Sequence, residues 1–79
     1  MEKIVRQGML FDLYGDLLTD HQRDIFGDLV NNDMSLSEIA EAYGISRQGV
    51  HDVIKRCDKQ LEAYESKLHL LEKQLSKED

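Results

Sequence analysis

The chain has 79 residues, 41% hydrophobic and 33% charged, with a formal net charge of −6, which fits one small helical domain with a thin core. No apolar run approaches the roughly 20 residues that cross a membrane, and the N-terminus lacks the zones of a signal peptide, so a cytoplasmic protein with no membrane insertion is expected. A single cysteine, Cys57, excludes an internal disulfide framework and any multi-cysteine metal site, and is expected to be a small apolar seam residue.

With no proline and five glycines, the chain reads as nearly continuous helix interrupted by caps, and four helices are predicted. The first spans Lys3 to Leu18. Its apolar residues, Ile4, Val5, Met9, Leu10, Phe11, Leu13, Tyr14, Leu17 and Leu18, form a stripe too wide to bury on one small neighbour. Thr19 with Gln22 is a capping box that opens a second helix over Asp20 to Val30, with Ile25, Phe26, Leu29 and Val30 facing the core. Asn31, Asn32 and Asp33 end it. Gly8, Gly15 and Gly27 lie inside these helical patterns, where close packing is expected to offset the cost of glycine.

The next segment, SLSEIAEAYGISRQGVHDVIKR from Ser35 to Arg56, places small, turn and apolar residues where a helix-turn-helix needs them. Ser35 and Glu38 form a second capping box, Ala40 is small where the two helices approach, and Gly44 supplies a left-handed turn. Ser46 caps the following helix, while Ile39, Tyr43, Ile45, Val50 and Val53 form the shared core. A plain helical hairpin would obey the same packing rules, but the exposed face argues for a ligand. Ser46, Arg47, Gln48, His51, Lys55 and Arg56 are mostly donors, and Arg and Gln are the side chains that read guanine and adenine edges in the major groove. Ser46 and Lys55 suit phosphate contacts. Asp52 has two readings open, a cytosine contact or an intrahelical hold on Arg56, of which the second is preferred.

Charge supports this placement. Met1–Gly44 carries three basic and nine acidic residues, Ile45–Lys59 four and two, and Gln60–Asp79 three and five. The only positive stretch is therefore the proposed recognition helix, and the remainder would repel phosphate. That acidity leaves a second reading, in which the scaffold docks on a protein or a structured RNA. His21, His51 and His69 have no ligand spacing, so no metal is expected.

Beyond Arg56 the pattern changes. Ile54, Cys57, Leu61, Tyr64, Leu68, Leu71 and Leu75 alternate spacings of three and four, a heptad seam that predicts one helix from Arg47 to Asp79. Such an arm exposes leucines that one chain cannot cover, so a homodimer is expected through Leu61, Tyr64, Leu68, Leu71 and Leu75 and the second face of the first helix. The alternative is a monomer whose first helix folds back along the arm. Glu62, Glu65, Lys67, Glu72, Lys73 and Lys77 flank the seam as a solvated face.

The runs LLTDHQRDIFGDL and MSLSEIAEAYGISRQGVHDVIKR, followed by LEAYESKLHLLEKQL, resemble the helix-turn-helix of the YlxM-like family of bacterial proteins, itself similar to region four of sigma-70 factors. The resemblance covers nearly the whole chain. It implies an all-α, dimeric DNA-binding protein of the bacterial cytoplasm with a winged-helix-like DNA-binding motif, linked to the signal recognition particle pathway by gene neighbourhood. By motif position the DNA-contacting face falls on Arg47, Gln48, His51 and Lys55, and the long-helix seam on Leu61, Tyr64 and Leu68.

The expected architecture is all-α and a single domain over residues 1–79, with an N-terminal helix (1–18), a helix-turn-helix core (19–56) and a helical dimerisation arm (57–79). Four short helices leave no obvious desolvated pocket, and the sequence holds no glycine-rich phosphate loop, nucleophile motif or metal cluster. No catalytic residue and no cofactor are therefore expected. The function expected is DNA-binding regulation, with a protein or RNA adaptor of the signal recognition particle as the alternative.

Overall fold

The first helix, α1 (Lys3–Tyr14), ends four residues short of its predicted stop and tightens into a 3₁₀ turn over Gly15–Leu17. In this computed structural model, which describes residues 1–76, Phe11 explains the bend. Its ring lies where a Cβ on Gly15 would come within 3.1 Å and one on Gly27 within 3.3 Å, so two glycines admit one aromatic side chain between helices. Phe11 also meets Phe26 at a centroid distance of 5.6 Å. Close packing thus holds at Gly15 and Gly27 but not at Gly8, where an added Cβ would meet nothing within 4 Å.

Helix α2 (Asp20–Val30) starts on the predicted capping box, with the Gln22 amide N–H donating to Thr19 Oγ1 at 3.2 Å and the Thr19 N–H to Gln22 Oε1 at 3.1 Å. Helix α3 (Leu36–Tyr43) repeats the device with Ser35 and Glu38. Gly44 then adopts φ 66°, ψ 33°, and the Ile45 N–H reaches back to the Ala40 carbonyl at 3.1 Å, the closing bond of a left-handed helix cap. Helix α4 (Arg47–Leu68) follows, capped by Ser46, whose hydroxyl accepts from the Gly49 N–H at 2.9 Å.

Helix α4 is the spine, packed against α1, α2 and α3. Ile25, Phe26, Ile39, Val50, Cys57 and Leu61 are fully buried and join Leu10, Tyr14, Leu18, Ala40, Ile54 and Leu71 in one cluster. Of the predicted shared core, Ile39 and Val50 are in it, and Tyr43 and Val53 pack against it half-buried. Ile45 is the exception at 36% exposed, because the turn leaves it at the rim. The Cys57 thiol faces the Gln22 carbonyl at 3.9 Å, and burial, with a smaller push from Asp58, raises its pKa to about 11. It is an unreactive seam residue between α2 and α4.

The predicted continuous arm needs correction. Helix α4 stops at Leu68; His69 takes φ 55°, ψ 31°, and α5 (Leu70–Ser76) returns against α1. Leu61 and Leu71, expected at a dimer seam, are 0% and 2% exposed inside one chain. Tyr64 is half-buried and packs on Tyr14 at 5.9 Å, whereas Leu68 and Leu75 stay exposed at 47% and 45%. The physical reason is a local alternative to a partner chain: turning back covers Leu71 at once, contributing about 1.5–3 kcal/mol. The stretch 77–79 of the predicted arm lies outside the described residues.

Glu65 makes that turn workable. Expected on a solvated face, its carboxylate is buried instead, accepting from the Tyr14 hydroxyl at 2.7 Å and from the Leu71 and Glu72 backbone N–H groups at 3.0 and 3.2 Å. Tyr14 Oη in turn accepts from the Leu70 N–H at 3.1 Å. The first N–H groups of α5, which have no partner inside that helix, are thereby satisfied. Among the described residues Glu65, His69 and Glu72 have the chemistry of a metal cluster, with candidate ligand atoms within 4.8 Å of one another. Their contacts already account for them, since Glu65 caps α5 and His69 Nδ1 lies 3.0 Å from Glu72.

Candidate nucleic-acid interface

One cap, one turn and a buried side fix the direction of the outer face of α4. Ser46 starts the helix, Gly44 sets its angle to α3, and burial of Val50, Ile54 and Cys57 turns the opposite side outward. Ser46, Arg47, Gln48, His51, Lys55 and Arg56 are all exposed, as a readable face requires. On a helix of 3.6 residues per turn, Arg47, Gln48, His51 and Lys55 fall along one side, with Arg56 flanking. Arg47, Gln48 and His51 line a shallow groove with Leu36 at the start of α3, so both helices of the motif shape the surface.

The face extends further than the sequence suggested. Lys59, one turn past Lys55, is exposed and borders a second groove with Asp52, Lys55 and Arg56. Its signal was present in the charge count of Ile45–Lys59, but a motif template ends before it.

Pairing separates these cations from Arg6, Arg23 and Lys3, though not from Lys67 and Lys73. Arg6 forms a bidentate contact with Glu62, both bonds at 2.8 Å; Arg23 reaches Asp16 and Asp20 at 3.5 and 3.1 Å; and Lys3 lies 3.9 Å from Asp58. Among the described residues, no carboxylate lies within 4.0 Å of the charged nitrogens of Arg47, Lys55, Arg56 or Lys59. Asp52 does not hold Arg56, as the sequence suggested. It accepts from Gln48 Nε2 at 3.0 Å and lies 3.9 Å from His51 Nδ1. The geometry rewards the nearer amide, one helical turn back on the same face.

Such a face can take a polyanion, with charge supplied by four unpaired cations and hydrogen-bonding specificity by Arg47, Gln48 and His51. Among the described residues no helix is long and apolar enough to cross a membrane.

The comparisons agree with the motif. A "UPF0122 protein" of Clostridium botulinum is 55% identical over 78 residues, covering 99% of this chain and 72% of the relative. One of Clostridium kluyveri is 47% identical over 79 residues, covering 100% of this chain and 71% of the relative. One of Streptococcus equi subsp. zooepidemicus is 51% identical over 70 residues, covering 89% of this chain and 62% of the relative. The model of the UPF0122 family, described as "Putative helix-turn-helix protein, YlxM / p13 like", matches residues 1–79, and the chain belongs to that family.

Proposed function

We propose that this chain is a DNA-binding regulatory protein that sets the first turns of α4 in a major groove, reading bases through Arg47 and Gln48. The observation that carries the proposal is the unpaired state of Arg47, Lys55, Arg56 and Lys59 on the face that also presents Gln48 and His51, in a chain whose other arginines are ion-paired. Lys55, Arg56 and Lys59 contact phosphates, and the Ser46 hydroxyl, though it accepts from Gly49, keeps a hydrogen to donate. Binding is weak without the specific contacts and falls steeply with salt, because the rest of the surface is acidic.

Two copies are part of the proposal, although folding back of α5 removes the argument from Leu61 and Leu71. Exposed Ile4 and Val5 on α1, with Leu68 and Leu75, are among the apolar groups left for a partner copy. A two-fold dimer would place recognition helices in successive grooves, about 34 Å apart. Sedimentation giving only a monomer at tens of micromolar removes this part.

The acidity of α1 to α3 favours one competitor, docking on a protein or RNA of the signal recognition particle. Fluorescence anisotropy against a random duplex pool and against the particle RNA, at low and physiological salt, separates the two. Enrichment of one duplex sequence, lost in Arg47→Ala, supports the regulator. Retention of only the particle RNA or its protein, with no duplex bound at either salt, overturns it.

A further inference from the structure

Asp52 is an acid in the middle of the one face that otherwise suits phosphate. It weakens attraction to a polyanion, and it neither pairs with Arg56 nor is buried. Its nearest polar partner is Gln48, one turn earlier, at 3.0 Å from Nε2 to Oδ1. Resting on the DNA-binding reading above, we propose that Asp52 is a positioning residue that locks the Gln48 carboxamide in the orientation that selects adenine.

An ionised carboxylate has no hydrogen to give, so the Gln48 amide must turn its NH₂ group, not its carbonyl, toward Asp52. One N–H is then committed to Asp52. The carbonyl and the second N–H remain side by side as an acceptor and a donor facing outward. Adenine presents the complement in the major groove, an N6 amino donor beside the N7 acceptor. A glutamine free to rotate and flip meets other base edges as readily, and loses more freedom when it binds. His51 Nδ1 lies 3.9 Å from the same carboxylate, and Lys55, Arg56 and Lys59 line the adjoining groove with it.

Duplexes selected from a random pool by the wild-type protein give the site. Four versions of that site, differing only at the adenine whose preference Gln48→Ala abolishes, are then titrated by anisotropy. Wild-type protein is expected to prefer adenine by about tenfold, within the range of one bidentate contact. Asp52→Asn, whose side chain can donate as well as accept, reduces that preference to about twofold. The same variant binds non-specific duplex about two- to fivefold more tightly at low salt, because a negative charge has left the face. Asp52→Asn combined with Gln48→Ala loses no more selectivity than Gln48→Ala alone. A role confined to helix stability would not weaken adenine choice while strengthening overall binding, and far-ultraviolet circular dichroism checks that the helix is intact. Undiminished adenine preference in Asp52→Asn overturns the inference, as does a changed preference at a cytosine instead; either leaves the DNA-binding reading standing if Arg47→Ala still removes sequence choice. If the wild-type protein selects no duplex at all, both fall together.

Discussion

Three described residues take the left-handed conformation, Asp33, Gly44 and His69; the last two cap the ends of α3 and α4, and those two turns are built on opposite terms. At Gly44 the helix-turn-helix takes φ 66° with glycine, and an added Cβ would meet nothing within 4 Å, so the backbone alone demands the residue. At His69 the chain takes φ 55° with a side chain that carries a penalty there, roughly 1–2 kcal/mol for an L-residue. The first turn is local and needs little help. The second exists because Leu71 gains a buried site and Glu65 caps the helix that follows. A turn that orients the candidate reading face is thus encoded in one residue, whereas the turn that closes the core is encoded in Glu65 and Leu71 on either side of it and in Tyr14, far away in the sequence.

The largest break in this contrast comes from Leu71→Ala. Removing a side chain that is 2% exposed should cost about 2–4 kcal/mol, read as a lower urea midpoint, and should free α5 from α1. Amide hydrogen exchange is expected to rise over Leu70–Ser76 while α3 and the first turns of α4 keep their protection, because the helix-turn-helix does not rest on that contact. A loss below about 0.5 kcal/mol would mean that α5 holds nothing at the core.

Glu65→Gln should cost less, about 1–2 kcal/mol at neutral pH, because a neutral acceptor caps α5 less well than a carboxylate. Burial by itself would push the Glu65 carboxyl up, but the donors Leu71 N–H, Tyr14 Oη–H and Glu72 N–H outweigh it and hold it below the ordinary carboxylate range. A group depressed in the folded state stabilises fully above its unfolded pKa and loses that contribution as pH falls through the folded value. The stability gap between wild type and Glu65→Gln should therefore be constant at neutral pH and shrink once pH drops below about 4.3. Paired urea titrations from pH 7 to pH 3 measure it; a gap that widens in acid would refute the cap.

Legibility in the sequence followed the same division. Both capping boxes, the Ser46 cap, Gly44 and the exposed face from Ser46 to Arg56 were readable, since each is set by neighbours within a turn or two. The end of α4 was not. Heptad spacing places Leu61, Leu68 and Leu75 as neatly on a straight helix as on a broken one, and no glycine or proline marks His69. The break depends on Tyr14, fifty-one positions from the Glu65 it donates to, and no local pattern carries that separation. Asp52 was misassigned for a related reason, because Gln48 and Arg56 are both four residues away and only side-chain geometry chooses between them.

The smallest effect is also the sharpest, because its sign alone decides. Gly44→Ala should destabilise by about 1 kcal/mol, with no steric contribution, since the left-handed backbone is the only obstacle. His69→Gly should do the reverse, stabilising by up to about 1 kcal/mol as the left-handed penalty disappears, offset in part by greater freedom of the unfolded chain. The variant also removes the contact of His69 Nδ1 with Glu72 at 3.0 Å, an exposed pair worth a few tenths of a kcal/mol at most, which Glu72→Gln measures separately. If α4 instead ran straight through residue 69 along the heptad pattern, glycine there would sit in a helix interior and destabilise by about 0.5 kcal/mol. A raised urea midpoint for His69→Gly beside a lowered one for Gly44→Ala is the expected pair, and a lowered midpoint in both would return the last helix to the extended arm.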